Sequence, residues 1–146
     1  MKILHIIYDS KNNKWMGGGG AHRVFEIYKR LSNENDITIL SGRYNETIKE
    51  RNNKLQYLYL GLPLSYCISR FTFALSSLIY VIINHTKFDI IVEEIGPLPL
   101  FLPFFIGNKK VVGSVQVLLE DNSQKSIIRP LLWALQKHAF KIYKNK

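Results

Sequence analysis

Apolar residues along the chain fall into two kinds of run. Short, nearly continuous blocks occur at Lys2–Tyr8 (KILHIIY), Asp36–Gly42 (DITILSG), Leu55–Gly61 (LQYLYLG), Phe88–Glu94 (FDIIVEE) and Lys109–Val117 (KKVVGSVQV). A strand covered on both faces reads as such a block, and each is predicted to be one. After the first block the spacing changes. Val24, Ile27, Tyr28 and Leu31 recur at helical intervals, with Arg23, Glu26, Lys29 and Arg30 on the other side, which predicts an amphipathic helix. Tyr44–Lys54 is polar and reads as a loop. From Phe71 to Thr86 no residue is charged. Ser76, Ser77, Asn84 and His85 interrupt that run before it reaches the ~20 apolar residues a bilayer needs, so a buried crossover helix is expected rather than a span. IGPLPLFLPFFIG, with Pro97, Pro99 and Pro103, allows at most a short helix after a tight turn. EDNSQ signals helix entry, and a last helix is expected from Ser126 nearly to the end, with Pro130 in its first turn.

Strands alternating with helices predict an α/β fold: a doubly wound, mostly parallel, Rossmann-like sheet with helices on both faces. At 146 residues the chain suits one domain, residues 1–146.

Composition leaves that picture intact and narrows the chemistry. With 47% hydrophobic and 21% charged residues the chain is ordinary globular material. A single cysteine, Cys67, rules out an internal disulfide or a cysteine-based zinc site and fits a reducing compartment. ILHIIY is too short for a secretory signal and Asp9 follows it, so a cytoplasmic location is expected. The net charge of +9 is concentrated at the end, where Lys125, Arg129, Lys137, Lys141, Lys144 and Lys146 occur without an acid. In the last helix Ile128, Leu131, Leu135, Ala139 and Ile142 form the stripe expected to face the sheet. Trp133 and Phe140 fall on the opposite side with Arg129, Lys137 and Lys144. Two readings follow: the aromatics pack under another domain, or the 126–144 helix rests on an anionic membrane surface, making the protein peripheral at the inner face. No nucleic-acid recognition motif accompanies the charge, and no nucleic-acid partner is expected.

The strongest chemical signal is WMGGGGAHRVFEIYKRL. Four glycines between a strand and a helix are entropically costly unless something needs their bare backbone. The free N–H groups of a helix start, together with its dipole, favour an anion there. Gly17, Gly18, Gly19 and Gly20 would let a phosphate or sugar lie directly on the main chain, with His22 as a further ligand candidate. A loop that merely spans a gap is the competing reading. The run is neither a G-x-G-x-x-G, since Arg23 stands where the third glycine belongs, nor a Walker A loop, which needs Lys-Ser/Thr. Glu93 and Glu94 end the fourth strand, where ligands of open α/β sheets sit. Their side chains alternate, so only one is expected to reach a cleft and the other to be solvated or to cap a helix; they do not converge as an acid–base pair. Arg43, after the second strand, is placed either to meet a phosphate or acidic acceptor or simply to face solvent. His5 reads as a core residue and His85 and His138 as surface; no histidine spacing suits a metal.

MKILHIIYD…GGGGAHRVFEIYKRLS…DITILSG, followed by FDIIVEEIGPLPLF and KKVVGSVQV, resembles the N-terminal domain of GT-B glycosyltransferases of the large family that includes retaining sucrose and mannosyl transferases. The resemblance runs from Met1 to about Tyr143. It implies two Rossmann-like domains facing each other across a cleft, of which this chain is the acceptor side. The glycine loop would lie against the diphosphate of a nucleotide-sugar, the co-substrate; no separate cofactor is implied. The donor-binding C-terminal domain, with its Glu-x7-Glu element, is absent. Glu26 and Glu34 have that spacing but belong to the surface of the first helix. Glu93 or Glu94, Gly96 and Gln116 would line the acceptor cleft. Gln116 stands where many members carry a histidine facing the reacting sugar. Glutamine can donate a hydrogen bond there but cannot shuttle a proton near neutrality. The implied activity is glycosyl transfer to a glycan, lipid or small-molecule acceptor, with this domain inactive alone. Two other classes stay open: a non-catalytic subunit that recruits a donor-binding partner, and a stand-alone phosphate- or nucleotide-binding module.

Overall fold

The structure, a computed structural model, describes residues 1–13, 15, 17–44, 51–52, 54–107, 110–115 and 129–144. In chain order the elements are β1 (Lys2–Ile6), α1 (Gly19–Leu31), β2 (Asp36–Gly42), β3 (Arg51–Asn52), β4 (Leu55–Leu60), α2 (Tyr66–Asn84), a 3-10 turn (His85–Lys87), β5 (Ile90–Glu94), α3 (Leu102–Ile106), β6 (Val111–Ser114) and α4 (Arg129–Lys144). One sheet has the order β3-β4-β2-β1-β5-β6. Every pairing is parallel except the short β3–β4 pair, so the fold is the doubly wound α/β arrangement the apolar blocks predict.

Strand alternation sorts the core into two layers. On one face Ile3 and Ile7 of the β1 segment, Ile37, Ile39, Leu55, Tyr57 and Tyr59 pack against Val24 and Tyr28 of α1. On the other, Leu4, Ile6, Tyr8, Leu40 and Ile91 pack against Phe73 and Val81 of α2 and Leu100 and Leu102 at α3. β1, paired to β2 and β5, is covered on both sides, which is why its run is almost uninterruptedly apolar. The strand order reverses beside β1, and the carboxyl ends of β1 and β5 open there.

Three expectations need correction. The polar 44–54 stretch is not all loop: Arg51–Asn52 adds an antiparallel edge strand to β4, too short for a periodicity signal. The second is α2, which packs on the sheet through Ser69, Phe73, Ser77 and Val81, while Ile68, Phe71, Leu75, Ile79, Ile82 and Ile83 are exposed. In this row of four-residue spacing two of the four positions are serine, which brings the helix close to the sheet, and bulky residues are left outside.

The third correction concerns α4. Leu131, expected against the sheet, is 61% exposed, and the buried positions are Gln136 and Ala139. Gln136 Nε2 donates to the Ile95 carbonyl at 3.3 Å, and the Tyr143 hydroxyl donates to Glu93. These two polar anchors fix the helix rotation in place of the aliphatic stripe. Trp133 is half-buried and carries the Lys137 ammonium 3.6 Å from its ring centre. Ile128 lies outside the described residues.

Candidate functional site

The site is built on the carboxyl edge of β1 and β5. Asp9 follows β1; Glu93 and Glu94 end β5; Gly96, Pro97 and Leu98 form the next turn; Arg70 and Phe73 come from the first turns of α2. Together with Ile6, Tyr8 and Leu100 they line a cleft of about 220 Å3. Its walls are largely apolar and its polar groups few, which is the usual make-up of a small-molecule site.

The two glutamates point to opposite faces, as alternation requires, and have different work. Glu93 is 1% exposed. Its Oε1 accepts the Leu100 N–H at 2.6 Å, its Oε2 accepts the Leu102 N–H at 3.4 Å, and the Tyr143 hydroxyl donates to the same oxygen. Between the two amides Phe101 sits at φ 54, ψ 38, a left-handed conformation unusual for a residue with a side chain. Successive N–H groups in such a turn converge on an anion, and the Glu93 carboxylate is that anion. Glu93 is therefore the capping member of the pair. Its carboxyl is engaged by these internal donors, and the residue also lines the cleft. Burial pushes its pKa up, against the lowering effect of those hydrogen bonds.

Glu94 faces the α1 side. Its Oε1 accepts from Arg23 of α1 at 2.9 Å and from the Ser114 hydroxyl at 3.0 Å, and lies 3.4 Å from His5 Nε2. His5, buried in β1, hydrogen-bonds through Nδ1 with the Tyr28 hydroxyl at 2.8 Å. It is the core histidine the sequence suggests. Burial lowers its pKa, opposed by the neighbouring Glu94, and burial raises that of Tyr28 to about 12. Three strands or helices thus converge on one carboxylate, which holds Glu94 rigidly at the cleft.

The glycines divide by role. A side chain at Gly17 would meet the carbonyl oxygens of Asn13 at 3.0 Å and Lys11 at 3.1 Å, so this glycine is needed for packing of the preceding turn. Gly18 and Gly19 have nothing within 4 Å of where a Cβ would be. Neither has a positive φ. No internal demand of the fold accounts for them. Gly18 is the residue capping α1; no side chain caps that end and no acid lies in the first turn. Gly20 lies within α1. Among the described residues the helix start therefore has no side-chain cap on its N–H groups, and the Arg23–Glu94 pair ties α1 to the cleft edge.

His22 is on α1 and exposed, outside the cleft lining. Arg43 is exposed too. Its guanidinium donates to the Tyr59 carbonyl at 3.3 Å, and its own carbonyl accepts from Ser69, so it braces the ends of β2, β4 and α2 and does not line the cleft. Gly96 lies at the cleft, with Arg70 Nη2 3.7 Å from where its Cβ would be. Gln116 lies outside the described residues.

Two site residues escaped the sequence reading. Arg70 stacks over Tyr8, 4.9 Å from the ring centre, and donates to the Tyr66 hydroxyl at 2.5 Å. Its signal was available: it is the one Lys or Arg between Lys54 and Lys87. In the sequence Asp9 does no more than end an apolar run. It is partly buried, and burial raises its pKa while Arg70 opposes the rise. Among the described residues no group of His, Cys, Asp and Glu side chains has a metal-binding arrangement. In comparisons with known proteins, no family model and no curated protein matches the chain.

Proposed function

We propose that this chain is the acceptor-side half of a nucleotide-sugar-dependent glycosyltransferase. The observation that carries the reading is the unoccupied space over Gly18 and Gly19 at the uncapped start of α1, next to a cleft that presents Asp9, Arg70 and Glu94. Bare N–H groups and the helix dipole suit a diphosphate. Carboxylates held in a largely apolar cleft suit sugar hydroxyls, which donate to them, and Arg70 adds a cation for the phosphate side or for a hydroxyl oxygen. On this reading Glu94 and Asp9 orient the acceptor, the main chain of Gly18–Ala21 approaches the donor diphosphate, and a separate donor-binding half supplies the nucleotide pocket. Glycosyl transfer then needs both halves, and the chain alone binds weakly.

The test is transfer by the chain together with its donor-binding half, with Gly18→Val or Gly19→Val introduced. Because the space at both positions is open, valine should leave folding intact, whereas its side chain would displace a diphosphate from the main chain. Transfer should fall by about a hundredfold or more, the scale on which loss of such backbone stabilisation is felt. Unchanged transfer would remove the glycine loop from the mechanism.

A further inference from the structure

Helix α2 is built inside out. Its buried positions, Ser69, Phe73, Ser77 and Val81, include two serines, whereas its solvent side carries Ile68, Phe71, Leu75, Ile79, Ile82 and Ile83. At ~100° per residue these six span an arc of about 120°, centred opposite the buried row. Phe71 is 65% exposed and Ile83 69%. The preceding turn exposes Leu62 and Leu64, and α3, packed beside α2, exposes Phe104 and Phe105. The helix with its 3-10 extension, Tyr66–Lys87, is long and apolar enough to cross a bilayer, yet its serine-bearing side is committed to the sheet.

From this we infer that the outer face of α2, with Leu62, Leu64, Phe104 and Phe105, docks on an anionic lipid bilayer, the helix lying in the interfacial plane. Charge favours lipid over a protein partner. No acid occurs in residues 51–88 or 95–119, the stretches that carry the face. Cations stand near both ends of the helix: Arg43, whose carbonyl accepts from Ser69, near its start, and Lys87 and Lys110, whose ammonium meets the Phe88 carbonyl, at its finish. An apolar stripe flanked by cations is the form of an interfacial helix, to which phosphate headgroups and acyl chains are jointly complementary. Protein interfaces instead combine an apolar centre with a polar, hydrogen-bonding rim and concentrate Trp, Tyr and Arg at their hot spots. Here the centre is aliphatic. This inference rests on the α2 surface alone and not on the glycosyl-transfer reading.

The experiment is co-sedimentation of the chain with vesicles of phosphatidylcholine, or of phosphatidylcholine mixed with phosphatidylglycerol. The chain should bind the mixed vesicles and bind pure phosphatidylcholine far less. Phe71→Asp/Ile79→Asp/Ile83→Asp should lower the bound fraction by about tenfold or more, with an unchanged circular dichroism spectrum, whereas Trp133→Ser/Lys137→Ser on α4 should bind normally. Cys67, exposed in the first turn of α2 and the one cysteine of the chain, gives a reading without mutation of the face. An environment-sensitive dye attached there should shift to the blue on adding the mixed vesicles. An unbound wild-type chain, a triple variant that still binds, or binding lost only in the α4 variant would each overturn the proposal. So would a lipid-free dimer that the triple variant converts to monomer, since the face would then belong to a second copy.

Discussion

His5 shows how a core residue can make stability depend on pH. Its ring sits between Tyr28 and Glu94 on the buried side of β1. Burial holds its pKa below the ordinary value of 6.5, so the folded protein refuses a proton that the unfolded chain accepts. The unfolded state binds more protons below about pH 6.5, and stability therefore rises with pH in that window. The contribution is fully present above the unfolded pKa and is lost as pH falls through the folded one, with a limiting slope of ~1.4 kcal/mol per pH unit. His5→Asn, which can keep a partner for Tyr28, should lose this slope. Urea unfolding of both proteins between about pH 5 and about pH 7 measures it. Parallel stability curves would show that His5 does not titrate with unfolding. The core placement of His5 was legible, because it interrupts an apolar block. Its partners were not: Tyr28 and Glu94 are brought to it by two crossovers, and local sequence carries no record of that.

Elements were legible to the extent that each buried a face by periodicity alone. β1, β2, β4, β5 and β6 were found as apolar blocks, and α1 as an amphipathic stripe. Failures occurred where a polar contact or a small residue decided the packing. α4 turns so that Gln136 and Tyr143 reach Ile95 and Glu93, and α2 buries serines because they allow close approach to the sheet. Glu93 is the clearest case, since one carboxylate joins β5 to the entry of α3 and to α4. Glu93→Ala would leave the Leu100 and Leu102 amides and the Tyr143 hydroxyl buried without this acceptor and release the left-handed turn at Phe101. At about 1–3 kcal/mol per stranded buried group, a loss of roughly 3 kcal/mol or more is expected by equilibrium unfolding. A loss below about 0.5 kcal/mol would mean that the three elements are held together by something else. Asp and Glu at strand ends announce a site in general terms. Which sheet face each of two adjacent carboxylates takes depends on strand parity; what each touches depends on the loop that follows.

For the whole molecule, the sheet order places the glycine loop, Asp9, Glu94 and Gly96 at one edge although they are far apart in sequence. The strand order follows from right-handed crossovers, so this gathering was foreseeable from the element string. Arg70 is not, because it opens a helix whose uncharged run predicts burial in the core. In the function proposed for the molecule, bare backbone at the start of α1 approaches a diphosphate. The most direct measurement is a nitrogen-15 amide NMR titration of the chain with inorganic pyrophosphate and a set of nucleoside-diphosphate sugars. Saturable, weak binding is expected, with the largest shifts at Gly18, Gly19, Gly20 and Ala21 and smaller ones at Gly96, all abolished by Gly19→Val. Shifts confined to other parts of the surface, or none at millimolar ligand, would contradict it.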